Sequence, residues 1–260
     1  MIIAIRRIVA IGDIHVGSRV APWLPHTYQD GSVANPSPIQ ERLNEYWMSF
    51  WKSAGKYDTV LLLGDLCDGN NRKEFGRNLT SVELEAQVEV CRQLLLPHCK
   101  GKKVYGVSGS PYHESLDVSL DKLVVEGVGG QFLGLLAHLD ITGTGKVIQL
   151  RHGDSASLLY RETDMARESM FLDMVQGIEL PFTIDLVVRG HWHWFAFNVN
   201  RRRSFLQVPG WKLWFPWRSG KYGKFIPDIG GCVLEISKTG ITCQEILYPY
   251  IPCYDALQRA

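Results

Sequence analysis

Aspartates and histidines that directly follow short apolar runs are the residues of this chain best suited to chemistry. Asp13 and His15 come first, after the apolar run 8–11. In an extended chain, residues i and i+2 point to the same side. A carboxylate and an imidazole so placed can bind one cation between them. The pair alone is weak evidence, but its place at the end of a strand is typical of sites in α/β proteins.

The same arrangement recurs after the apolar run 59–63, where Gly64 precedes Asp65 and Asp68. Glycine permits a sharp turn and a close backbone approach. Asp65 could bridge two cations, and Asp68 could orient a histidine that binds one of them. Both aspartates could instead cap a turn or a helix. For Asp68 alone, the sequence favours neither interpretation.

Four more histidines follow apolar runs, namely His113, His152, and the His191 and His193 pair of a His-x-His motif. A single histidine is more often a hydrogen-bonded structural residue than a ligand. Here, however, five of the eight histidines lie just beyond four separate predicted strands. One structural cause would have to repeat at all four strands, so the sequence predicts a metal site, and imidazoles suit Zn, Mn or Fe.

Short apolar runs alternate with amphipathic stretches, and this alternation predicts an α/β domain. The later strands lack intervening helices, so the sheet there should be antiparallel or mixed. Two long loops, 21–38 and 210–231, interrupt a single domain that spans residues 1–260. The predicted strands are 8–11, 59–63, 103–107, 147–150, 185–189, 195–199, 204–208, 232–236 and 242–247, and the predicted helices are 38–54, 82–96 and 157–175.

The overall composition is that of an ordinary globular chain, with 45% hydrophobic residues and a formal net charge of +1. The small net charge argues against a protein that coats long duplex DNA. Six cysteines form no Cys-x-x-Cys pair, and we expect reduced, mostly buried thiols. No apolar stretch approaches the length of a membrane span, so we expect a cytoplasmic protein without a membrane partner.

In their order, the motifs resemble those of the calcineurin-like metallophosphoesterase superfamily. That pattern is Asp-x-His, Gly-Asp-x-x-Asp, Gly-Asn-His-Asp/Glu, a lone His and Gly-His-x-His, and the match runs from residue 12 to residue 193. The resemblance implies a four-layer αββα sandwich of two mixed sheets flanked by helices. It also implies two divalent metal ions, Mn²⁺ first among them, with Fe, Zn or Ni as alternatives.

The resemblance further implies a role for each matching residue. One metal would be bound by Asp13, His15 and His193, and Asp65 would bridge to a second metal that is bound by His152 and His191. His113 would contact the phosphate and assist the leaving oxygen, and Asp68 would orient a neighbouring histidine. Two cations about 3.5–4 Å apart clamp a phosphoryl group and lower the pKa of a bridging water, whose hydroxide attacks phosphorus.

The third motif departs from the family pattern. It reads Gly109-Ser110-Pro111-Tyr112-His113-Glu114, with two extra residues and no asparagine. That asparagine normally supplies an amide oxygen to the second metal. We therefore expect the second metal to bind weakly, or to take water or Asp154 instead. This form of the motif resembles a variant found among phage and prophage members.

The interval 186–227 contains no Asp or Glu but eight basic residues and five tryptophans. Basic groups attract phosphates and indole faces stack on bases, so we expect a phosphorylated substrate, either a nucleotide or single-stranded nucleic acid. The expected contacts are Arg201, Arg202, Trp211 and Trp214. The alternative is that the tryptophans form core or an oligomer contact, with solvated basic residues outside.

These patterns predict a hydrolase, with phosphodiesterase or nuclease as the preferred activity. Two alternatives stay open. A phosphomonoesterase, including a protein phosphatase, would use the same pair of metals. A non-catalytic metal-binding scaffold would retain the fold with a degenerate second metal site, and the altered third motif is the feature that favours it.

Overall fold

The computed structural model describes residues 4–71, 76–114, 118–153, 163–214 and 226–253. Within these residues the helices are α1 (Pro38–Ala54), α2 (Leu84–Cys99), α3 (Leu120–Gly127) and α4 (Thr163–Val175). The strands are β1 (Arg6–Ile11), β2 (His26–Thr27), β3 (Val33–Ala34), β4 (Thr59–Leu62), β5 (Lys103–Gly106), β6 (Gln131–Phe132), β7 (Leu136–Ile141), β8 (Lys146–Arg151), β9 (Leu186–Arg189), β10 (Ala196–Val199), β11 (Ser204–Gln207), β12 (Ile229–Ile236) and β13 (Ile241–Tyr248).

Two mixed sheets form the centre of the molecule. The first has the order β13-β12-β1-β4-β5-β6. Strands β1, β4, β5 and β6 are parallel to one another, and β12 pairs antiparallel with both of its neighbours, β1 and β13. The second has the order β10-β11-β9-β8-β7, with β8, β9 and β11 parallel and an antiparallel strand at each edge. The mixed sheets expected from the strands without intervening helices are therefore present.

Three separate apolar clusters show how the layers stack. Ile8 and Ala10 of β1 pack between the sheets, whereas Val9 and Ile11 face α1 and α2. A third cluster lies between the outer face of the second sheet and α4. Because a sheet that is covered on both faces needs apolar residues on both, β4 and β9 are buried along their whole length. The predicted αββα sandwich is confirmed.

Helix α1 illustrates how local sequence sets an element. Ser37 and Gln40 form a capping box, and Pro38 occupies the first helical turn. Apolar residues at helical spacing then bury one face, including Trp47 and Phe50. Removing such an N-cap typically costs about 1 kcal/mol.

Several elements differ from the sequence prediction. The 21–38 loop contains the short β2–β3 hairpin, whose turn is closed by hydrogen bonds from Ser32 to Asp30. Helix α3 and the edge strand β7 were not predicted, because α3 has only eight residues and β7 mixes apolar with polar residues and is mostly not buried. Residues 157–162 of the predicted helix 157–175 and residues 215–225 of the second long loop lie outside the described residues.

The parallel strands bring their carboxyl ends to one edge of the sandwich. In the first sheet Ile11, Leu62 and Gly106 are in register, and in the second sheet Arg151 is in register with Arg189. The loops that follow β1, β4, β5, β8 and β9 therefore start side by side. No helix in the described part of the chain combines the length and apolarity needed to cross a bilayer. All six cysteines are free thiols.

Candidate metal centre

The loops after β1 and β4 run together as a pair. The backbone N–H of Asp13 donates to the carbonyl of Gly64 at 3.0 Å, and the N–H of His15 donates to that of Asp65 at 3.0 Å. A Cβ atom on Gly64 would lie 2.4 Å from the backbone nitrogen of Gly109, and φ of Gly64 is +81°. Glycine is required there because the third loop packs directly against this turn.

Backbone strain concentrates at the predicted ligands. Six non-glycine residues in the described ranges have positive φ, and five of them are predicted metal ligands. Such conformations cost about 1–3 kcal/mol each and persist only where the surroundings enforce them. Strain of this kind is typical of a functional site. The five ligands are Asp13 (50°), His15 (54°), Asp65 (50°), His191 (84°) and His193 (55°).

The first ligand group consists of Asp13, His15 and His193. The Nε2 atoms of the two histidines lie 3.1 Å apart, and Oδ1 of Asp13 lies 3.3 Å from Nε2 of His193 and 3.8 Å from Nε2 of His15. Asp13 is completely buried, and its Oδ1 accepts no hydrogen bond of normal geometry within the described part of the chain, where Nε2 of His193 is a longer contact. A buried carboxylate oxygen without a partner is costly unless a cation completes it. The group therefore fits a divalent metal.

The second ligand group consists of Asp65, His152 and His191. Oδ2 of Asp65 lies 3.0 Å from Nε2 of His152, which is 3.3 Å from Nδ1 of His191. Nδ1 of His152 contacts the carbonyl of Leu63 at 2.6 Å. A backbone carbonyl in this position fixes the orientation of an imidazole that binds a metal. The structure thus gathers all six predicted ligands into two adjacent groups.

The carboxylates and histidines of the two groups shift one another's pKa values. Burial would raise the pKa of Asp13, but His193 and His152 hold it below its usual value. Burial would likewise raise the pKa of Asp65, but His152 and His113 hold this pKa well below its usual value. Burial opposes the charge on His152, yet Asp65 and Asp13 raise its pKa to about 10. Both carboxylates are therefore ionised near neutral pH, as metal binding requires.

Two other ligand histidines, His15 and His191, are neutral near neutral pH. Burial lowers the pKa of His15 well below its usual value, and Coulombic interactions with Lys212 and His113 lower it further. Burial, followed by the charge of His152, lowers the pKa of His191. A neutral imidazole offers a lone pair to a metal without first losing a proton.

Asp68 connects the first group to His113. Its Oδ1 contacts Nδ1 of His15 at 3.0 Å and the Nζ of Lys212, and its backbone carbonyl contacts Nδ1 of His113 at 2.8 Å. Asp68 therefore orients both His15 and His113. Lys212 had no distinguishing signal in the sequence, where it was one of eight basic residues in its interval.

Ser110 stands where the family pattern has asparagine. Its N–H donates to Oδ1 of Asp65 at 2.7 Å, and its hydroxyl lies 3.0 and 3.2 Å from the two carboxylate oxygens. Tyr112 donates its hydroxyl to Oδ1 of Asn71 at 2.6 Å. His113 is close enough that its ligand atom lies within 4.8 Å of those of His15 and Asp65. Asp154, the suggested substitute ligand, lies outside the described residues.

Sequence reasoning missed Asp121, a buried residue in the first turn of α3. Its carboxylate accepts the backbone N–H groups of Leu66 at 2.9 Å, Gly109 at 2.7 Å and Asp65 at 3.2 Å. Asp121 belongs to none of the sequence motifs, and α3 itself was not predicted. Ser119 as an N-cap three residues before Lys122 is the signal that could have revealed the helix.

Two of the predicted substrate contacts lie far from the ligands. Arg201 and Arg202 occupy the turn between β10 and β11, and β11 begins in register with Leu186 at the start of β9. His191 follows the other end of β9, so the turn lies at the opposite edge of the sheet. Arg202 forms an ion pair with Asp173 at 3.1 Å instead. The assignment of both arginines to substrate is therefore corrected.

The tryptophans divide into core and site residues. Trp211 is fully buried against Trp47 and Phe50, at ring-centroid distances of 4.8 and 5.5 Å, so its ring cannot stack on a base. The assignment of Trp211 to substrate is corrected as well. Trp214 is half-buried, and its ring centroid lies 6.2 Å from that of His193. Trp217 and three of the basic residues, Arg218, Lys221 and Lys224, lie outside the described residues.

Comparison with protein-family models finds no match, and comparison with curated protein sequences finds none either. The chain is similar in fold to solved structures. An archaeal phosphodiesterase has 11% identity and a TM-score of 0.47, with 93% of this chain and 99% of that chain covered. A predicted phosphoesterase from Streptococcus pneumoniae has 11% identity and a TM-score of 0.42 (94% and 99% covered). Wild-type Vps29 from Entamoeba histolytica, complexed with Zn²⁺, has 17% identity and a TM-score of 0.41 (93% and 98% covered).

Proposed function

We propose that the protein is a metal-dependent phosphodiesterase or nuclease that acts on a nucleotide or on single-stranded nucleic acid. The convergence of six ligand side chains at one edge of the sandwich carries this proposal. The buried Oδ1 of Asp13 is not hydrogen-bonded, and a cation would stabilise it. Asp13, His15 and His193 would hold one ion, and Asp65, His152 and His191 would hold the other. Such ions supply Lewis-acid stabilisation of a phosphoryl group and an activated water.

His113 is the side chain suited to assist the leaving oxygen. Its Nδ1 contacts the carbonyl of Asp68, which fixes this nitrogen as the donor and leaves Nε2 for substrate. In the doubly protonated imidazole, Nε2 can donate a proton to an alkoxide as the ester bond breaks. Oδ1 of Asp68 lies 3.5 Å from the same Nδ1 and helps to hold the ring in this orientation.

Aromatic and basic groups beside the ligands support a nucleotide substrate. Trp192 stacks on Trp194 with centroids 4.9 Å apart and contacts His191 edge to face at 5.2 Å, while Trp214 lies next to His193. Lys212 adds a partly exposed positive charge at Asp68. Indole faces stack on any base, and each such contact contributes about 1–3 kcal/mol.

A panel of substrates tests the proposal. The purified protein, supplied with Mn²⁺, is assayed on bis(p-nitrophenyl) phosphate, p-nitrophenyl phosphate, cyclic nucleotides, and labelled single-stranded DNA and RNA. We expect cleavage of the diesters and of the labelled strands. Turnover of the monoester without any diester cleavage would instead assign the protein to the phosphomonoesterases, including protein phosphatases.

A non-catalytic scaffold is the second candidate, favoured by the contacts of Asp65. Both its oxygens are already engaged, by Ser110 and by His152. A second ion must displace the His152 contact, so the second group could stand empty. Metal analysis of the purified protein decides between the two. One tightly held ion and no hydrolysis under excess Mn²⁺ would favour the scaffold.

A further inference from the structure

Asp121 is a carboxylate whose position is unusual for its place in a helix. An aspartate in the first helical turn ordinarily stays at the surface, where it interacts with the helix dipole. Asp121 lies in the first turn of α3 but is only 3% exposed. Its side chain faces the loops after β4 and β5 rather than solvent. A buried carboxylate is costly unless it is hydrogen-bonded, so its partners indicate what it does.

All three of its hydrogen-bond donors are backbone N–H groups, and they come from two different loops. Oδ1 accepts from Leu66 at 2.9 Å, and Oδ2 accepts from Gly109 at 2.7 Å and from Asp65 at 3.2 Å. Oδ2 thus joins the loop of the metal-bridging candidate to the loop of the altered motif.

The two loops pack closely, and the hydrogen bonds from Ser110 to the carboxylate of Asp65 join them a second time. A Cβ atom on Gly109 would lie 2.1 Å from Oδ1 of Asp65, and one on Gly64 would lie 2.4 Å from the nitrogen of Gly109. No side chain can therefore stand between the loops as a spacer. Asp65 also has φ of +50°, a conformation that the surroundings must enforce.

Helix α3 does not need Asp121 for its own start. Ser119 accepts the N–H of Lys122 as an N-cap, and the carboxylate of Glu114 accepts the N–H of Leu120. The orphan donors of the first turn are thus served by other side chains. The bonds from Asp121 reach 55, 56 and 12 residues away from it along the chain.

We propose that Asp121 is a positioning residue that fixes Asp65 against the 109–113 loop and so sets the geometry of the second metal group. The proposal rests on the function proposed above. Asp121 touches no ligand side chain's donor atom and acts through the backbone of Asp65. Ser110 holds the same carboxylate from its other side, so Asp65 stands between two supports.

The variant Asp121→Asn tests this role with minimal change of shape. Both oxygens of Asp121 accept backbone N–H groups, and asparagine replaces one of these oxygens with an NH₂ donor. Two donors then face each other, so the loop on that side must move. We expect the second Mn²⁺ to bind roughly tenfold or more weakly, as is typical when a group that supports a metal ligand is lost. Binding of the first Mn²⁺ should be unchanged. Calorimetric titration gives both affinities, and electron paramagnetic resonance reports the coupling of a Mn²⁺ pair.

Asp185→Asn is the matched control. Asp185 also accepts a backbone N–H, that of Val147 at 2.9 Å, and it pairs with Lys146 at 2.8 Å. It directly precedes β9, at the sheet edge away from the metal ligands. A loss of general stability should therefore appear in both variants as a lower Tm, whereas loss of the second ion should appear only in Asp121→Asn.

The outcomes separate this inference from the proposed function. Two Mn²⁺ ions bound with equal affinity by the wild type and by Asp121→Asn would overturn the role of Asp121 alone. A single ion bound by the wild type would overturn both proposals. If Asp121→Asn does not fold, Asp121→Glu decides, because it keeps both acceptor oxygens but displaces them by one methylene. It should show the same selective loss, and wild-type binding would count against the role.

Discussion

The two ligand groups use the same residue types but differ in how far their ligand atoms are already engaged. In the first group, Oδ1 of Asp13 has no hydrogen-bond partner and two imidazole nitrogens face each other at 3.1 Å. In the second, the oxygens of Asp65 are engaged by Ser110 and His152. An ion entering the first group completes an unsatisfied carboxylate oxygen and replaces only the contact between the two imidazoles, whereas an ion entering the second must replace the contact between Asp65 and the protonated His152.

Protonation increases this difference. The charges of Asp65 and Asp13 overcome burial and raise the pKa of His152 to about 10, so the second group carries a proton that the ion must displace. Burial holds the pKa of His15 well below its usual value, so the first group carries none there. We therefore expect the first ion to bind more tightly than the second, and four experiments address that expectation.

Asp65→Asn should have the largest effect. The substitution keeps the shape of the side chain but removes the charge that would bridge the two ions. We expect kcat/KM for a diester to fall by more than about 100-fold, beyond the loss that follows removal of a supporting partner. Circular dichroism should show an intact fold. Activity near that of the wild type would rule out a bridging role for Asp65.

Changing the pH should act on one group more than on the other. Below the pKa of His152, each unit of falling pH should weaken the second Mn²⁺ by about tenfold, because one proton competes with the ion. The first ion should respond much less, since His15 is already neutral. Titrations at about pH 6.5 and about pH 8 measure both affinities. A parallel response of both ions would contradict the difference in protonation.

The ligands could be predicted from the sequence because each one follows its strand directly. Asp13, His15 and His193 need only a short apolar run and the rule that parallel strands end at one edge. Asp121 could not be predicted in this way, because its partners are backbone groups of distant loops. Nothing in the local sequence of an aspartate records which N–H groups the fold will bring to it.

The errors in substrate assignment have a related cause. Arg201 and Arg202 follow the His-x-His motif closely in sequence, but one antiparallel turn carries them to the far edge of the sheet. Trp211 and Trp214 are only three residues apart, yet one is core and the other lies beside His193. Proximity along the chain is therefore a poor guide to proximity in space, and the position of the two arginines follows from the strand register instead.

Gly210→Ala should weaken the first group selectively. A Cβ atom at this position would lie 2.7 Å from Nδ1 of His193 and 3.2 Å from Cβ of Asp13, so the imidazole must shift. We expect roughly tenfold weaker binding of the first Mn²⁺, comparable to the loss of a supporting contact. Gly240→Ala is the control, because nothing lies within 4 Å of the added atom there. Equal affinities in the two variants would show that the first group tolerates this displacement.

Lys212→Met should have the smallest effect and should widen the difference between the groups. Its ammonium contacts Asp68, which in turn contacts His15, so its charge repels a cation in the first group. Removing one positive charge at this distance should tighten the first ion by about threefold to tenfold, or about 1 kcal/mol. Lys146→Met, at the opposite sheet edge, should change neither ion. An equal gain in affinity for both ions would show that Lys212 acts through the general electrostatic field of the site. Weaker binding of the first ion would show that Lys212 is needed to hold Asp68 against His15.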